Sequence, residues 1–311
     1  MKTNLITLIV SFLLLSSMTY GQDEIFKVLA SKGANKVVSG KSTEQKPILI
    51  GKKLYKDDKI ILGENSYLGL AHNSGKTIEL KKAGTYEIGK LSSELASQNS
   101  SVAKKYVDFV AGELSSTDED MASNRHKYMK VTGSVERGEV KASNIKVLTP
   151  KDVYTLSTPV TLRWVPTHES STTYVVILTD LADEPVYTVE TTENFIIVDL
   201  DKLNFKTKKN FLWKVAVKDS KPRIESEPSI LKYVDDAKAA TLEEQVTEIK
   251  TELNEETALN KLILASFYEE NGLLLEALAN YEAAIKLEPE VEDYKIAYGK
   301  FLERRKITVA K

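Results

Sequence analysis

The sequence predicts a multidomain chain, mainly β and then α, and three observations carry that expectation. From Ile25 to about Leu91, short apolar runs alternate with glycine-bearing turns. From about Ile145 to Tyr233, longer runs alternate apolar and polar residues, with Trp164 early and Trp213 late. After Asp235-Asp236 the apolar spacing becomes helical. The expected divisions are a leader over 1–21, a β domain with a helical insertion over 22–144, a sandwich over 145–235 and a helical domain over 236–311.

Met1 to about Gly21 reads as a signal peptide: Lys2, an apolar run from Leu5 to Leu15, then the small and polar Ser16, Ser17 and Thr19. That run is about eleven residues, short of the roughly 20 that a membrane span needs. Cleavage after Gly21 and no stable transmembrane span in the mature chain are therefore expected, with a periplasmic or secreted location. The 311 residues include no cysteine, which excludes disulfides, thiolate metal sites and a lipid-modified N-terminal cysteine. The roughly 290 residues after the leader suit two or three packed cores. A formal net charge of -2 conceals an uneven distribution, since residues 234–311 hold 10 Lys and Arg against 17 Asp and Glu. Phosphate binding needs clustered cations, so nucleic acid is not an expected partner.

The first β region is read from Phe26–Ala30, Lys36–Val38, Ile48–Ile50, Lys59–Leu62, Tyr67–Leu70, Thr77–Leu80 and Thr85–Ile88, punctuated by Gly33, Gly40, Gly51, Asp57-Asp58, Gly63, Ser74-Gly75 and Gly84. The order Gly51-Lys52-Lys53-Leu54, Asp57-Asp58-Lys59-Ile60, Gly63, Ser66, Leu70, Ser74-Gly75 and Ile78-Glu79-Leu80 resembles the FecR-type extracytoplasmic domain over about 60 residues. Asp57 stands at the family's Gly, and Asn73-Ser74-Gly75 replaces its Asp-Gly. The resemblance implies a noncatalytic module in a Gram-negative-type envelope, with a link to envelope signalling. The sequence has no second apolar run to span a bilayer, so signalling through a transmembrane helix, as in that family, is not expected. Val102, Tyr106, Phe109 and Val110 predict a helix from Ser101 to about Leu114 against this module. Ser115–Asp120 reads as an exposed loop, and Met129–Val135 resumes strand alternation.

In the second β region, Val160–Trp164, Tyr174–Leu178, Val186–Val189, Phe195–Val198 and Phe211–Val217 follow Leu148-Thr149-Pro150, and Ile230–Tyr233 closes the set. About seven strands in ninety residues with two tryptophans resemble a fibronectin type III or immunoglobulin-like sandwich. Alternation turns both tryptophans inward, as core.

In the helical region, Leu242, Val246, Ile249 and Leu253 share one face, and Tyr294, Ala297, Phe301 and Leu302 mark a last helix. Between them, Leu264, Ala265, Tyr268, Gly272, Ala277, Tyr281, Ala284 and Pro289 are spaced as in a helical hairpin. Ala265 and Ala277 let two helices approach, Asn271-Gly272 turns the chain and Pro289 ends the second helix. This order resembles a tetratricopeptide repeat over roughly 258–291, with Lys261 where that family has a tryptophan-like residue. One such hairpin cannot bury its own apolar faces, so it is expected to dock on the sandwich, on a second copy or on another protein.

No catalytic, cofactor or metal residue is assigned. His72, His126 and His168 share no metal-ligand spacing. Ser39-Gly40-Lys41-Ser42 and Ser74-Gly75-Lys76-Thr77 end like phosphate loops, but Asn35 and Leu70 stand where the upstream Gly is required. Ser101-Val102-Ala103-Lys104 has no companion acyl-enzyme motif, and the acidic loop near Asp118 lacks the ordered calcium frame. The expected function is a nonenzymatic adaptor or scaffold binding a protein partner through solvent-facing hairpin positions, with Asn260, Lys261, Asn280 and Tyr294 as candidates. The alternative is a carbohydrate or cell-wall binding module, with a cell-envelope glycan held on Tyr154, Tyr174 and Tyr187 and the helices as an oligomerisation cap.

Overall fold

A computed structural model describes residues 23–95, 101–115, 144–150, 152–156, 159–166, 172–253 and 256–307. The leader, the loop after Ser115, the strand expected over Met129–Val135, His126 and His168 lie outside the described residues. β-Sheets occupy the N-terminal part and helices the C-terminal part.

The N-terminal module contains β1 (Glu24–Lys32), β2 (Lys36–Val38), β3 (Gln45–Pro47), β4 (Lys53–Tyr55), β5 (Lys59–Leu62), β6 (Tyr67–His72), β7 (Thr77–Leu80) and β8 (Gly84–Glu87). They form two antiparallel sheets, ordered β4-β1-β6-β7 and β3-β2-β5-β8. Phe26, Val28, Leu54, Ile60, Leu68 and Leu70 fill the space between them. Ile48–Ile50 is not the expected strand: Ile48 is buried, Leu49 is 71% exposed, and the backbone turns there, with Lys52 N–H donating to the Leu49 carbonyl at 3.1 Å. The Asp58 carboxylate accepts from the backbone N–H groups of Gly40 (3.1 Å) and Tyr55 (2.9 Å), so this buried acid ties two turns together.

Strand β6 is buried on both faces. Leu68 and Leu70 point into the module, while Tyr67 and Ala71 belong to a second core and Gly69 faces Leu259. An unbroken apolar run is what such a strand requires. After β8 come α1 (Ile88–Glu94) and α2 (Ser101–Ser115). Ala103, Tyr106, Val107, Val110, Ala111 and Leu114 of α2 join that second core beside Leu29 and Ala30 of β1. Gly75, in the β6–β7 turn at φ +94°, seats α2: a Cβ there would lie 2.9 Å from the Lys104 backbone nitrogen.

The sandwich comprises β9 (Asn144–Ile145), β10 (Asp152–Thr155), β11 (Val160–Arg163), β12 (Tyr174–Thr179), β13 (Pro185–Thr191), β14 (Phe195–Val198), a short α3 (Phe205–Lys208), β15 (Asn210–Val217), β16 (Glu225–Ser226) and β17 (Ser229–Tyr233). One sheet runs β10-β17-β15-β12-β13, with β10 and β17 parallel, and β11 pairs β14 in the other. Trp164 and Trp213 are both core, 0% and 1% exposed, with Trp164 edge-on to Tyr174.

The C-terminal helices are α4 (Asp236–Leu253), α5 (Ala258–Glu270), α6 (Leu274–Leu287) and α7 (Glu292–Arg304). Gly272 at φ +76° turns α5 into α6. From Ala258 to Glu269 every residue of α5 except Lys261 is buried, the signature of a core helix. The second core runs without interruption from β1, β6 and α2 through all four helices. The hairpin thus docks within its own chain, on the β module through α5 and on the sandwich through α6, and α7 adds a further contact with β1.

Candidate functional site

Polar pairs at the β-module junction account for two of the four residues singled out in the sequence, Asn260 and Tyr294. At the β-module junction, the Glu79 carboxylate accepts from Leu259 N–H at 2.8 Å, and the Thr257 side chain accepts from Asn260 N–H, so two free amides at the start of α5 are capped. Asn260 is 3% exposed; its side-chain oxygen accepts from the Thr77 hydroxyl and its amide donates to the Leu253 carbonyl at 3.2 Å. Tyr294 is fully buried, its phenol oxygen 2.6 Å from that of Tyr67. Ser31 N–H donates to the Asp293 carboxylate at 3.0 Å. The expectation that Asn260 and Tyr294 face solvent is therefore corrected: both are spent on contacts within the chain. Lys261 is largely covered and ion-paired with Glu256.

Asn280 faces the other way. It is half-buried, donates to the Glu276 carbonyl at 2.8 Å, and lines a cleft of about 190 Å³ between α6 and the sandwich. Pro159, Val160, Thr161 and Arg163 form one wall; Tyr268, Leu275, Glu276, Leu278, Ala279 and Asn280 form the other. Glu276 is buried, and one oxygen of its carboxylate accepts from the Thr155 hydroxyl at 2.7 Å and from Leu156 N–H at 2.8 Å. Burial and then the Glu276 charge push the Tyr268 phenol up to about 12. At the rim Arg163 pairs with Glu282, which also accepts from the Tyr298 hydroxyl at 3.2 Å.

The wall continues outward as an apolar shelf. In the β11–β14 register Thr161 is opposite Ile197 and Arg163 opposite Phe195. These four share the outer face because Leu162, Ile196 and Val198 point to the core. Ile197 is 60% exposed and Phe195 39%. Among the described residues β14 pairs with β11 alone. Sequence reading missed Arg163, Phe195, Ile197, Glu276 and Glu282 as surface partners. Phe195-Ile196-Ile197-Val198 did contain the signal, since an unbroken apolar strand in a two-sheet sandwich must turn apolar side chains outward.

The three tyrosines considered for glycan binding share no platform. Tyr174 is buried against Trp164, while Tyr154 and Tyr187 lie on β10 and β13, at opposite edges of the five-strand path. Among the described residues no group of three or more His, Asp or Glu is placed to hold a metal, and no helix is long and apolar enough to cross a membrane. No protein-family model matches the chain, and no curated protein matches it.

Proposed function

We propose that this protein is a nonenzymatic adaptor of the bacterial cell envelope, in which a tetratricopeptide-like hairpin fixes a FecR-like β module against an immunoglobulin-like sandwich and leaves the α6 cleft and its shelf for a protein partner. The burial of α5 from Ala258 to Glu269, Lys261 excepted, supports this reading most directly. A helix so largely enclosed serves to join its neighbours, which leaves recognition to the surfaces at its flanks. The shelf supplies the rest: Phe195 and Ile197 adjoin on one open sheet face, beside a cleft that mixes apolar walls with placed polar groups. The leader-like N-terminus is consistent with a periplasmic or secreted location.

The test is crosslinking and affinity capture from the native envelope, comparing the full chain with an Ile197→Asp/Ala279→Trp variant. Both residues are exposed, so the variant keeps its cores. Partners recovered by the wild type and lost with the variant support the proposed surface. Partners recovered equally by both show that recognition lies elsewhere.

A further inference from the structure

We infer that the open edge of β14 pairs antiparallel with the same edge of a second copy of this chain, about a two-fold axis at Ile196. This rests on the assignment of the shelf to a partner in the adaptor reading above, and names that partner. The main chain of β14 is directed for such pairing. Trp164 N–H donates to the Asn194 carbonyl at 3.1 Å, whereas the Arg163 carbonyl accepts from Leu148 N–H, on the other side of β11. Bonding directions alternate along an antiparallel ladder, so with Leu162 opposite Ile196 and Val160 opposite Val198, Ile196 and Val198 turn their N–H and C=O groups to β11. Those of Phe195 and Ile197 point to the open edge, which has no strand partner among the described residues.

This edge also lacks the devices that keep the others single. β13 has Pro185, Glu190 and a register shift beside Thr179; β3 has Lys46 and Pro47, β4 has Lys53, β8 has Glu87 and β10 has Asp152. Charge, proline and irregularity are what block the addition of a strand. Phe195-Ile196-Ile197-Val198 has none of them, and its register with β11 is unbroken.

Self-complementarity selects a second copy as the occupant. Rotation about Ile196 sets Phe195 against Ile197 of the second copy, and Ile197 against Phe195 of the second copy, the relation an isologous interface requires. Each of these pairs exchanges two main-chain hydrogen bonds. Each also brings an aromatic ring beside a β-branched side chain on the outer face, where Phe195 is 39% and Ile197 60% exposed, and such cross-strand pairs are favourable. At either end Glu193 meets Asp199 of the other copy, whose charge is offset by its ion pair with Lys202 at 3.2 Å. The two-stranded sheet thereby becomes one continuous sheet across both copies. Pairing over four residues belongs with small, transient interfaces, so monomer and dimer exchange.

The experiment is analytical ultracentrifugation of the full chain between about 10 and 1,000 µM, with backbone amide hydrogen exchange measured at both ends of that range. The expected result is a reversible monomer–dimer equilibrium in which the amides of Phe195 and Ile197 gain protection as concentration rises, while those of Leu162 and Ile196 are protected throughout. Ile197→Pro removes an N–H that lies outside the β11 ladder, so it should leave the sandwich folded, as read by tryptophan fluorescence, and weaken dimerisation at least tenfold or so, about 1.4 kcal/mol. Should that variant unfold, exchange in the wild type decides alone. Monomer at every concentration, protection of Phe195 and Ile197 that does not vary with concentration, or a dimer undiminished in a folded Ile197→Pro overturns the pairing. If the pairing fails while Ile197→Asp/Ala279→Trp still loses its captured partners, the adaptor surface stands with a different occupant. Concentration-dependent protection, with other partners captured equally by both chains, keeps the pairing and removes the shelf from the adaptor reading.

Discussion

The phenol oxygens of Tyr67 and Tyr294 meet at 2.6 Å, joining a strand of the N-terminal module to the last helix across 227 residues of chain. One donates and the other accepts, and both rings are buried. Removing one hydroxyl leaves its partner enclosed, which costs about 1–3 kcal/mol, whereas removing both spares that penalty. Tyr67→Phe and Tyr294→Phe should each destabilise the protein, and the double variant should lose less than the sum. Urea denaturation of the three variants measures the coupling; strict additivity would mean that the pair contributes nothing jointly.

Alkaline pH should unfold the protein through its buried phenols. Burial is the main cause of the upward shifts at Tyr67, Tyr281, Tyr294 and Tyr298. With folded values raised above the ordinary value of 10.0, their contribution is complete below about pH 10 and is lost as pH climbs beyond it. Phenolate absorbance from these four should therefore appear together with loss of helical circular dichroism. A smooth titration completed before any unfolding would contradict it.

Acid acts at the opposite end of the module. His72 Nδ1 accepts from Ser74 N–H at 3.1 Å, which leaves Nε2–H to donate to the Ser92 hydroxyl at 3.0 Å. Burial lowers its pKa from 6.5, with Lys76 and Lys104 adding to the effect. A lowered value means that the neutral form is favoured by folding, so stability is complete above about pH 6.5 and declines as pH falls through the folded value. His72→Gln should weaken the pH dependence of the melting temperature between about pH 7.5 and 5; an unchanged slope would show that other groups set it.

Removing the helices should damage the β module more than the sandwich. In a chain ending at Val234, the Leu29, Ala30, Tyr67 and Ala71 face and the apolar face of α2 lose their cover, whereas the core around Trp164 and Trp213 loses Leu275 and the partly buried Leu274. Hydrogen exchange should show amides of β6 unprotected while those of β12 and β15 remain slow. Equal protection in both would mean that the module closes on its own.

Most strands and all four C-terminal helices were legible because each has a local cause. Glycine turns bound the strands, a period of two marks the sandwich, and Asn271-Gly272 and Pro289 bound the hairpin. The partners of the helices were not legible, because burial of a polar residue depends on contacts far away in sequence. Asn260 and Tyr294 look like surface positions until Thr77 and Tyr67 are placed beside them. The cleft was half legible: Asn280 was found from the exposed side of the hairpin, while Glu276 and Arg163 become neighbours of it only when α6 meets β11. Tyr67–Ala71 offered a better clue than its length suggests, since an apolar run with small residues on alternate positions announces a layer on its second face.

The double burial of β6 also governs the order of events during synthesis. Its outward face waits for α7, and the 227 residues from Tyr67 to Tyr294 take on the order of ten to forty-five seconds to translate at about 5–20 residues per second. Throughout that interval an apolar strand has no native cover. The outward face of β6 is thus the last part of the N-terminal module to gain its native cover.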